Sequence, residues 1–349
     1  MAQFPAHPDE ITDDWWAQVL GRVPQRWRWE PIGTGQVGDS VRFTLEFADE
    51  AAPVTLAGKF AAADPTSRGT AAMLGLYAKE VRFYRELAPR LPIRTPRTYC
   101  AEIAEDGARF CLLFEDLGPA RGGNQIAGCT IADARAVIAQ AAALHAPSWH
   151  NPDILEQDWL QPDPAAAAQV KALYRQAQAI FRERYKDSLE PHFMALCEAL
   201  AEVTAATDRK PEQVSLVHGD FRLDNVLFDI KGGSEPVAVL DWQTLTIGNG
   251  LTDVGYFLGC GIGDSLRRAH ERELLELYCA QMTARGVPLD VDAIWRDYVV
   301  GALHGVSTAV FSAAFVVRTE RGDANFLSMA RGACALCHEH GSLDLMLKG

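Results

Sequence analysis

The sequence predicts an α+β fold in two lobes, a small N-terminal lobe rich in strands and a larger C-terminal lobe that is mostly helical. Residues 41–47 alternate between apolar and polar types, and 54–60 form a mostly apolar run, which are both typical of strands. Beyond about residue 118, the apolar residues recur mainly at helical spacing, except around two polar loops. We therefore expect an N-terminal domain at 1–116 and a C-terminal domain at 117–349.

A glycine-rich turn follows the predicted N-terminal helix. Gly-Thr-Gly-Gln-Val-Gly at 33–38 matches G-x-G-x-x-G, a spacing that dinucleotide-binding folds also use. In those folds the turn opens a helix, whereas here a strand follows. A turn between two strands can close its backbone N–H groups over phosphates, so Gly33, Gly35 and Gly38 are candidate nucleotide-binding residues. A plain glycine-rich hairpin is the alternative for this motif taken alone.

Lys59 stands at the end of the apolar strand at 54–60. Lysine resists burial unless it has a partner. The functional interpretation is that Lys59 binds the α- and β-phosphates of a nucleotide, which requires a carboxylate to hold the ammonium in place. The alternative is an ordinary charge on an edge strand.

A predicted helix at 70–87 supplies that carboxylate. Its apolar stripe comprises Met73, Leu76, Tyr77, Tyr84 and Leu87. Glu80 falls on the same stripe, where an unpaired carboxylate is costly. Glu86 lies with Lys79 and Arg82 towards the solvated side. We therefore expect Glu80, rather than Glu86, to pair with Lys59 at a distance within about 4 Å.

Two further strands are predicted near 97–103 and 110–114. The residues that follow, Glu-Asp-Leu-Gly at 115–118, resemble a hinge between lobes, whose backbone groups would meet a nucleobase. Glu115 and Leu117 are the candidate residues. Backbone contacts leave little trace in a sequence, so this assignment rests only on the position of the segment after the predicted strand near 110–114.

The loop His-Gly-Asp-Phe-Arg-Leu-Asp-Asn at 218–225 follows an apolar run and places Asp220 five residues before Asn225. Phosphoryl transfer uses such a pair: the aspartate accepts the proton of the attacking hydroxyl, and the asparagine holds a metal ion. A second metal carboxylate, Asp241, ends the apolar strand at 237–240. The alternative is an Asx-rich turn between two strands.

With these motifs the chain resembles the aminoglycoside phosphotransferase and choline-kinase-like superfamily, and within it bacterial phosphotransferases related to ecdysteroid-kinase-like enzymes. Those proteins share His-Gly-Asp-x-x-x-x-Asn in place of the His-Arg-Asp of protein kinases, and Asp-Trp-Gln or Asp-Trp-Glu in place of their Asp-Phe-Gly. The resemblance covers roughly 11–261. It implies a protein-kinase-like fold and ATP-dependent phosphorylation of a small-molecule hydroxyl. The implied catalytic residues are Asp220, Lys59 and Glu80, and the implied Mg²⁺ ligands are Asn225 and Asp241.

The segment between Asp241 and Asp253 bears on the acceptor class. It has eleven residues, and 244–250 reads as a short turn, so the long peptide-docking segment of a protein kinase is missing. We therefore expect a small-molecule acceptor. Asp253 is expected to cap a helix and to brace the catalytic loop, and His145 to be a packed structural histidine. Arg222 is a candidate for neutralising the transferring phosphoryl group, with a structural ion pair as an equal alternative.

Composition limits the remaining possibilities. A hydrophobic content of 48% supports a buried core, and a net charge of −13 argues against nucleic-acid binding. The polar start and the lack of a run of about 18 apolar residues predict a cytoplasmic protein without a membrane span. Cys-Ala-Leu-Cys-His at 334–338 matches a haem-attachment pattern, but its helical context predicts a core helix with neither haem nor metal.

A non-catalytic nucleotide-binding regulator with the same fold is the alternative from another functional class. Every position that the catalytic motifs require is filled in this sequence, which favours the enzyme. The motifs do not identify the acceptor: an aminoglycoside, a choline-like compound, a lipid-like or steroid-like hydroxyl and a hydroxy acid all stay open.

Overall fold

The computed structural model describes residues 4–33, 37–161, 163–206 and 211–348. Gly35, one of the predicted nucleotide-binding glycines, lies outside the described residues. The chain forms two compact units. The first contains Met1–Ala120 and Asp229–Leu245, and the second contains Arg121–Phe228 and Thr246–Gly349.

The strands are β1 (Arg26–Pro31), β2 (Gly38–Glu46), β3 (Val54–Ala61), β4 (Thr98–Ile103), β5 (Phe110–Glu115), β6 (Arg121–Gly122), β7 (Ser215–Val217), β8 (Val226–Asp229), β9 (Glu235–Val239) and β10 (Thr246–Gly248). The helices are α1 (Asp13–Leu20), α2 (Pro65–Met73), α3 (Leu76–Arg82), α4 (Ile131–Ser148), α5 (Pro152–Leu155), α6 (Pro164–Tyr185), α7 (Pro191–Ala206), α8 (Ile230–Gly233), α9 (Leu251–Cys260), α10 (Asp264–Thr283), α11 (Val291–Gly301), α12 (Leu303–Phe315), α13 (Glu320–His340) and α14 (Ser342–Lys348).

The unit boundaries differ from the single division after residue 116 that the sequence suggested. The segment Asp229–Leu245 belongs to the first unit, where its backbone forms hydrogen bonds with residues of the N-terminal part of the chain. The N–H of Lys231 donates to the carbonyl of Leu117 over 2.8 Å, and the N–H of Val239 donates to the carbonyl of Arg94 over 2.9 Å. Asp241 is therefore part of the strand-rich unit.

The first unit is built on an antiparallel sheet with the strand order β1-β2-β3-β5-β4. Every second residue of β2 from Val41 to Leu45 is buried, so the strand shows the alternation that its sequence predicted. Helix α1 packs Trp15 and Trp16 onto these residues. Thr12 accepts the N–H of Trp15 at the start of the helix. The apolar cluster they form holds β2 and β3 in place.

The sequence predicted one continuous helix at 70–87, which was wrong, because the structure has two helices there. Helix α2 ends at Met73, Gly75 adopts a φ of 67°, and α3 begins at Leu76. Glycine enters this left-handed region without the penalty of a Cβ, so the chain turns there. Met73 is consequently 77% exposed and does not share the face of Glu80. The segment Phe83–Leu87 continues as a π-helix.

The second unit is mostly helical. Helix α9 is buried over nearly its whole length, as expected for a helix that is apolar on every side. A Cβ at Gly255 would lie 2.6 Å from the backbone nitrogen of Ala302, so a glycine is required where α9 meets the end of α11. Strand β7 pairs antiparallel with β10, which lies inside the segment 244–250 that we had predicted to be a short turn.

One stretch, Val291–Phe315, is long and apolar enough to cross a membrane by length and composition alone. It comprises α11 and α12, and 56% of the most apolar part is buried inside the protein. The core helices of soluble proteins share these properties, so this stretch is weak evidence for a span.

Candidate active site

Lys59 and Glu80 meet in the first unit, as the sequence predicted. The Nζ atom of Lys59 lies 2.8 Å from Oε1 of Glu80 and 3.3 Å from Oδ1 of Asp241. The second oxygen of Glu80 accepts a hydrogen bond of 3.2 Å from Nε2 of Gln243. The predicted contact is thus confirmed, while the roles of these residues in binding phosphate stay predictions.

Charge and burial oppose each other at Lys59. Burial alone would lower its pKa, but the carboxylates of Asp241 and Glu80 outweigh that effect and raise it to about 12. Burial also disfavours the charged form of Glu80, which here raises the pKa. The neighbouring Lys59 ammonium limits that rise. Lys59 therefore carries a positive charge held between two carboxylates. The side chain of Asp241 is 41% exposed, against 2% for that of Glu80, so Asp241 is the carboxylate that a ligand can reach.

Asp241 has an unusual backbone conformation. Its φ of 63° lies in the left-handed region, which residues other than glycine seldom occupy. The next residue, Trp242, is fully buried and stacks on Phe83, with 3.7 Å between the ring centroids and 10° between the planes. This stacking holds the strained turn that directs the Asp241 carboxylate towards Lys59.

The structure describes the two ends of the glycine turn. Gly33 adopts a φ of 75°. A Cβ at Gly38 would lie 3.0 Å from the carbonyl oxygen of Phe60, so a larger residue would have to displace β3 slightly. The hydroxyl of Tyr77 donates to the carbonyl of Val37 and accepts the N–H of Ala62. Tyr77, which we had assigned only to an apolar stripe, thus links the glycine turn to the helix that carries Glu80.

The predicted hinge residues have other partners in the structure. The N–H of Glu115 donates to Arg97, and the carbonyl of Leu117 accepts the N–H of Lys231. The Glu115 carboxylate binds Arg94 over 2.7 Å and Lys231 over 2.5 Å. Contact between these residues and a nucleobase stays a prediction. The carbonyl of Leu117 already accepts a hydrogen bond from the backbone of Lys231.

In the second unit, Asp253 holds the backbone of the catalytic loop. Its carboxylate accepts the N–H of His218 over 2.7 Å and that of Gly219 over 3.0 Å. Nε2 of His145 lies 3.2 Å from the same carboxylate, and both side chains are fully buried. Burial alone would raise the pKa of Asp253, but these hydrogen bonds lower it. The bracing role predicted for Asp253 and the packing predicted for His145 are both observed. The helix cap also predicted for Asp253 was wrong, because Asp253 lies inside α9, whose N-cap is Gly250 without a side-chain hydrogen bond.

Three side chains hold the carboxylate of Asp220. Oδ1 accepts hydrogen bonds from Nε of Arg222 over 2.8 Å and from the hydroxyl of Tyr256 over 2.9 Å. Oδ2 accepts one of 2.8 Å from Nδ2 of Asn225. Burial would raise the pKa of Asp220, but the Arg222 guanidinium lowers it. Asp220 is therefore an oriented, ionised carboxylate, and 23% of its side chain is exposed.

Arg222 forms the ion pair that we had left as one of two alternatives. Besides Asp220, it donates from Nη1 to Oδ2 of Asp224 over 2.9 Å. Asp224 is also 3.4 Å from Arg321 and accepts the backbone N–H of Gln125. A contact between Arg222 and a phosphoryl group stays a prediction.

The residues predicted to hold Mg²⁺ have suitable donor atoms. Asn225 uses its side-chain nitrogen for both of its hydrogen bonds to Asp220, which leaves the amide oxygen to face a cation. Asp241 supplies an accessible carboxylate. Both are the hard oxygen ligands that Mg²⁺ prefers. Within the described ranges, no cluster of three or more His, Cys, Asp or Glu residues could hold a metal ion.

Two residues near Asp220 were missed by sequence reasoning. Tyr256, on α9, is fully buried, and burial raises the pKa of its hydroxyl well above the usual value, so it stays a hydrogen-bond donor. His304, on α12, places Nε2 only 2.7 Å from the carbonyl oxygen of Gly219, which can only accept, so Nε2 carries the proton. In both cases the available signal was one of a few polar side chains on a largely apolar helix.

The segment that resembled a haem-attachment pattern lies on α13. Cys334 and Cys337 are buried, and the Sγ atoms of Cys334 and Cys197 are 3.7 Å apart. All eight cysteines are free thiols. The predicted core helix is therefore observed.

The chain is similar to known proteins in sequence and in fold. The sequence model of the phosphotransferase enzyme family matches residues 67–286. Acyl-CoA dehydrogenase family member 11 of Pongo abelii is 28% identical over 170 residues, which are 48% of this chain and 20% of that protein. The corresponding mouse and human proteins match in the same way, so the chain spans about a fifth of the length of these curated relatives.

Two solved structures share the fold. Choline kinase from Cryptosporidium parvum Iowa II gives a TM-score of 0.57 at 10% identity, covering 97% of this chain and 94% of that one. The GDP complex of aminoglycoside 2′-phosphotransferase-IIIa gives 0.53 at 16% identity, covering 92% and 96%. The two-lobed, protein-kinase-like α+β fold expected from the sequence is thus confirmed. Because the family model matches well over half of its residues, the chain belongs to the phosphotransferase enzyme family.

Proposed function

We propose that the protein is an ATP-dependent O-phosphotransferase that acts on the hydroxyl group of a small molecule. The observation that carries the proposal is the carboxylate of Asp220. It follows the buried strand β7, is oriented by hydrogen bonds on both of its oxygens, and stays partly accessible. An accepting carboxylate in this state can orient a hydroxyl group for attack.

In the proposed reaction, the hydroxyl oxygen of the acceptor attacks the γ-phosphorus while the bond to the β–γ bridging oxygen breaks and ADP leaves. The hydroxyl proton passes to Asp220. The Arg222 guanidinium lowers the pKa of Asp220, so the carboxylate is ionised and can accept this proton. Its earlier task is to orient the nucleophile, which suits the loose transition state of phosphoryl transfer.

Lys59 and the glycine turn would bind the phosphates. The charged ammonium of Lys59 is fixed by Glu80 and lies beside an accessible carboxylate, Asp241. Asn225 and Asp241 would hold Mg²⁺, which when bound neutralises charge on the phosphates. These side chains serve to position the nucleotide, whereas Asp220 positions the acceptor.

The acceptor and the location belong to the same proposal. The residues between Asp241 and Asp253 form a short turn, β10 and the start of α9, which supports a small molecule rather than a peptide as acceptor. The net charge of −13 supports a protein that does not bind nucleic acid. Free thiols at all eight cysteines suit the reducing cytoplasm.

The test is Asp220→Asn, which keeps the shape of the side chain and removes the negative charge. We expect the variant to bind Mg·ATP with the affinity of the wild type and to lose roughly 10²–10⁴-fold in turnover, the usual value of a positioned base. Calorimetry measures the first property, and release of ADP in the presence of a library of hydroxyl compounds measures the second.

Asp229→Asn is the matched control, because Asp229 is exposed and asparagine tolerates its left-handed φ of 52°. Near-normal turnover of Asp220→Asn would refute the assignment of the base. Tight Mg·ATP binding by the wild type, with no ADP release that depends on Asp220, would favour the non-catalytic nucleotide-binding regulator instead.

A further inference from the structure

We propose that the acceptor lies along the solvent-facing side of α12 and is an uncharged hydroxyl compound with an apolar body. This inference rests on the proposed function, because it names the class of molecule that Asp220 would phosphorylate. It goes beyond that function because neither the catalytic motifs nor the fold specifies the acceptor.

Helix α12 has two different faces. One face packs into the core of the second unit through Leu303, Val306, Ala309, Val310 and Ala313, which are all at most 5% exposed. The other face is only partly covered and consists of His304, Ser307, Thr308, Phe311, Ser312 and Phe315. These six positions follow the helical spacing of 3 and 4 residues, so they form one continuous strip.

The strip begins at the catalytic loop. Nε2 of His304 lies 2.7 Å from the carbonyl oxygen of Gly219, the residue before Asp220. The ring of His304 also meets that of Tyr256 edge to face, with 5.3 Å between the centroids, and Tyr256 donates to Asp220. A molecule that presents its hydroxyl to Asp220 and follows α12 therefore contacts this strip.

The aromatic part of the strip sets the length of the acceptor. At a rise of 1.5 Å per residue, Phe311 lies about 10 Å and Phe315 about 16 Å along the helix from His304. The two rings pack together with 4.9 Å between their centroids, and Phe315 is 46% exposed. Exposed aromatic pairs are unusual on protein surfaces and are typical of binding sites. An acceptor whose hydroxyl lies at the catalytic loop, beside His304, should therefore carry an apolar group about 10 Å further along the helix.

The strip is also without charge. Asp, Glu, Lys and Arg make up 23% of the chain, yet α12 contains none of them. The guanidinium of Arg184 donates to the carbonyl of Ala313, a residue of the core-facing side. A polycationic acceptor would need carboxylates along the strip, and α12 supplies none. An uncharged apolar body fits the strip better.

Aromatic rings also attract quaternary ammonium ions, so a matched pair of acceptors is needed. Choline and 3,3-dimethylbutan-1-ol have nearly the same shape, but the second has carbon in place of the charged nitrogen. We expect 3,3-dimethylbutan-1-ol to be phosphorylated with at least about a tenfold higher kcat/KM than choline. We expect 6-phenylhexan-1-ol, which is long enough to contact Phe311, to exceed both by about another tenfold, because it buries more apolar surface against the strip.

The strip is tested by Phe311→Ser and Phe315→Ser, both at partly exposed positions that should tolerate serine. Each variant should lower kcat/KM for 6-phenylhexan-1-ol by about five- to tenfold, with little effect on 3,3-dimethylbutan-1-ol. Calorimetry should show the same loss in the direct binding of 6-phenylhexan-1-ol. Leu347→Ser removes an apolar side chain that is 54% exposed on α14, and it should change neither quantity.

A preference for choline, or equal effects of Phe311→Ser and Leu347→Ser, would overturn the inference. A change of sedimentation coefficient in Phe311→Ser would also overturn it, because the strip would then be an interface between copies of the chain. ATP hydrolysis that depends on Asp220, without measurable binding of 6-phenylhexan-1-ol, would refute the acceptor class and leave the proposed function intact. If the wild type showed neither binding of 6-phenylhexan-1-ol nor ATP hydrolysis that depends on Asp220, the proposed function itself would be refuted.

Discussion

The pair formed by Lys59 and Glu80 gives the sharpest quantitative prediction. Replacing Glu80 with glutamine keeps the size of the side chain and removes its charge. In the folded protein the ammonium of Lys59 would then retain only Asp241 as a carboxylate partner, at 3.3 Å. Gln243, which donates to Glu80 over 3.2 Å, would face an amide in place of a carboxylate.

The expected magnitude follows from burial. The side chain of Glu80 is 2% exposed and that of Lys59 is 15% exposed, so the pair is close to the buried limit. Removing one partner of a buried pair costs about 3–5 kcal/mol, because the other charge stays buried without compensation. Since Asp241 still offsets part of the charge on Lys59, we expect Glu80→Gln to lower the free energy of unfolding by about 3 kcal/mol.

The assay is a double-mutant cycle with Glu80→Gln, Lys59→Met and the combined variant, measured by urea unfolding. Residues in direct contact show coupling energies of about 0.5–3 kcal/mol, and this pair should fall in the upper half of that range. Glu86→Gln is the control, because Glu86 lies on the same helical segment but is partly exposed. It should change stability by no more than about 0.5 kcal/mol.

Coupling below about 0.5 kcal/mol would refute the reasoning, since it would mean that the two charges do not stabilise each other in the folded protein. An effect of Glu86→Gln as large as that of Glu80→Gln would refute it as well. Mg·ATP binding should weaken in Glu80→Gln, because Lys59 would no longer be held in one position for the phosphates.

Three other changes test separate parts of the site. Tyr256→Phe removes a hydrogen bond to the charged Asp220, worth about 1.5–3 kcal/mol, and should lower kcat about ten- to hundredfold while the KM for ATP stays unchanged in steady-state kinetics. Asp241→Ala should abolish the Mg²⁺-dependent part of nucleotide affinity, and an unchanged calorimetric titration would contradict the metal assignment. Burial would raise the pKa of Glu115, but Lys231 and Arg94 lower it from 4.5 to about 2. Its stabilising effect should therefore be complete above pH 4.5 and lost as the pH falls towards 2, so the difference in unfolding free energy between wild type and Glu115→Gln should shrink across that range.

The sequence predicted those parts of the site that local chemistry determines. Burial of Glu80 and Lys59 could be inferred from the apolar residues around each, and two buried opposite charges need a partner. The spacing of Asp220 and Asn225 is also local, because five residues span one loop. In both cases a short stretch of chain contains the physical reason for the contact.

The sequence did not predict what depends on packing between distant segments. The break at Gly75 was missed because a glycine inside a helical pattern is often tolerated, and the tertiary structure decides whether the helix continues. Tyr256 and His304 approach the catalytic loop only because glycines let the helices that carry them pack closely. Their roles could not be read from their own neighbours in the sequence, which are apolar.

Asp220 and Asp253 show how the surroundings, rather than the residue type, separate two roles. Both carboxylates belong to the same unit, contact the same loop and have lowered pKa values. Asp253 is fully buried and is surrounded by the backbone N–H groups of His218 and Gly219 and by the ring of His145, so no oxygen is accessible to a ligand. Asp220 is held by side chains alone and stays partly exposed. A carboxylate locked by backbone groups stabilises a loop, whereas one oriented by side chains at the surface can also receive a substrate, and this difference assigns the proposed base to Asp220.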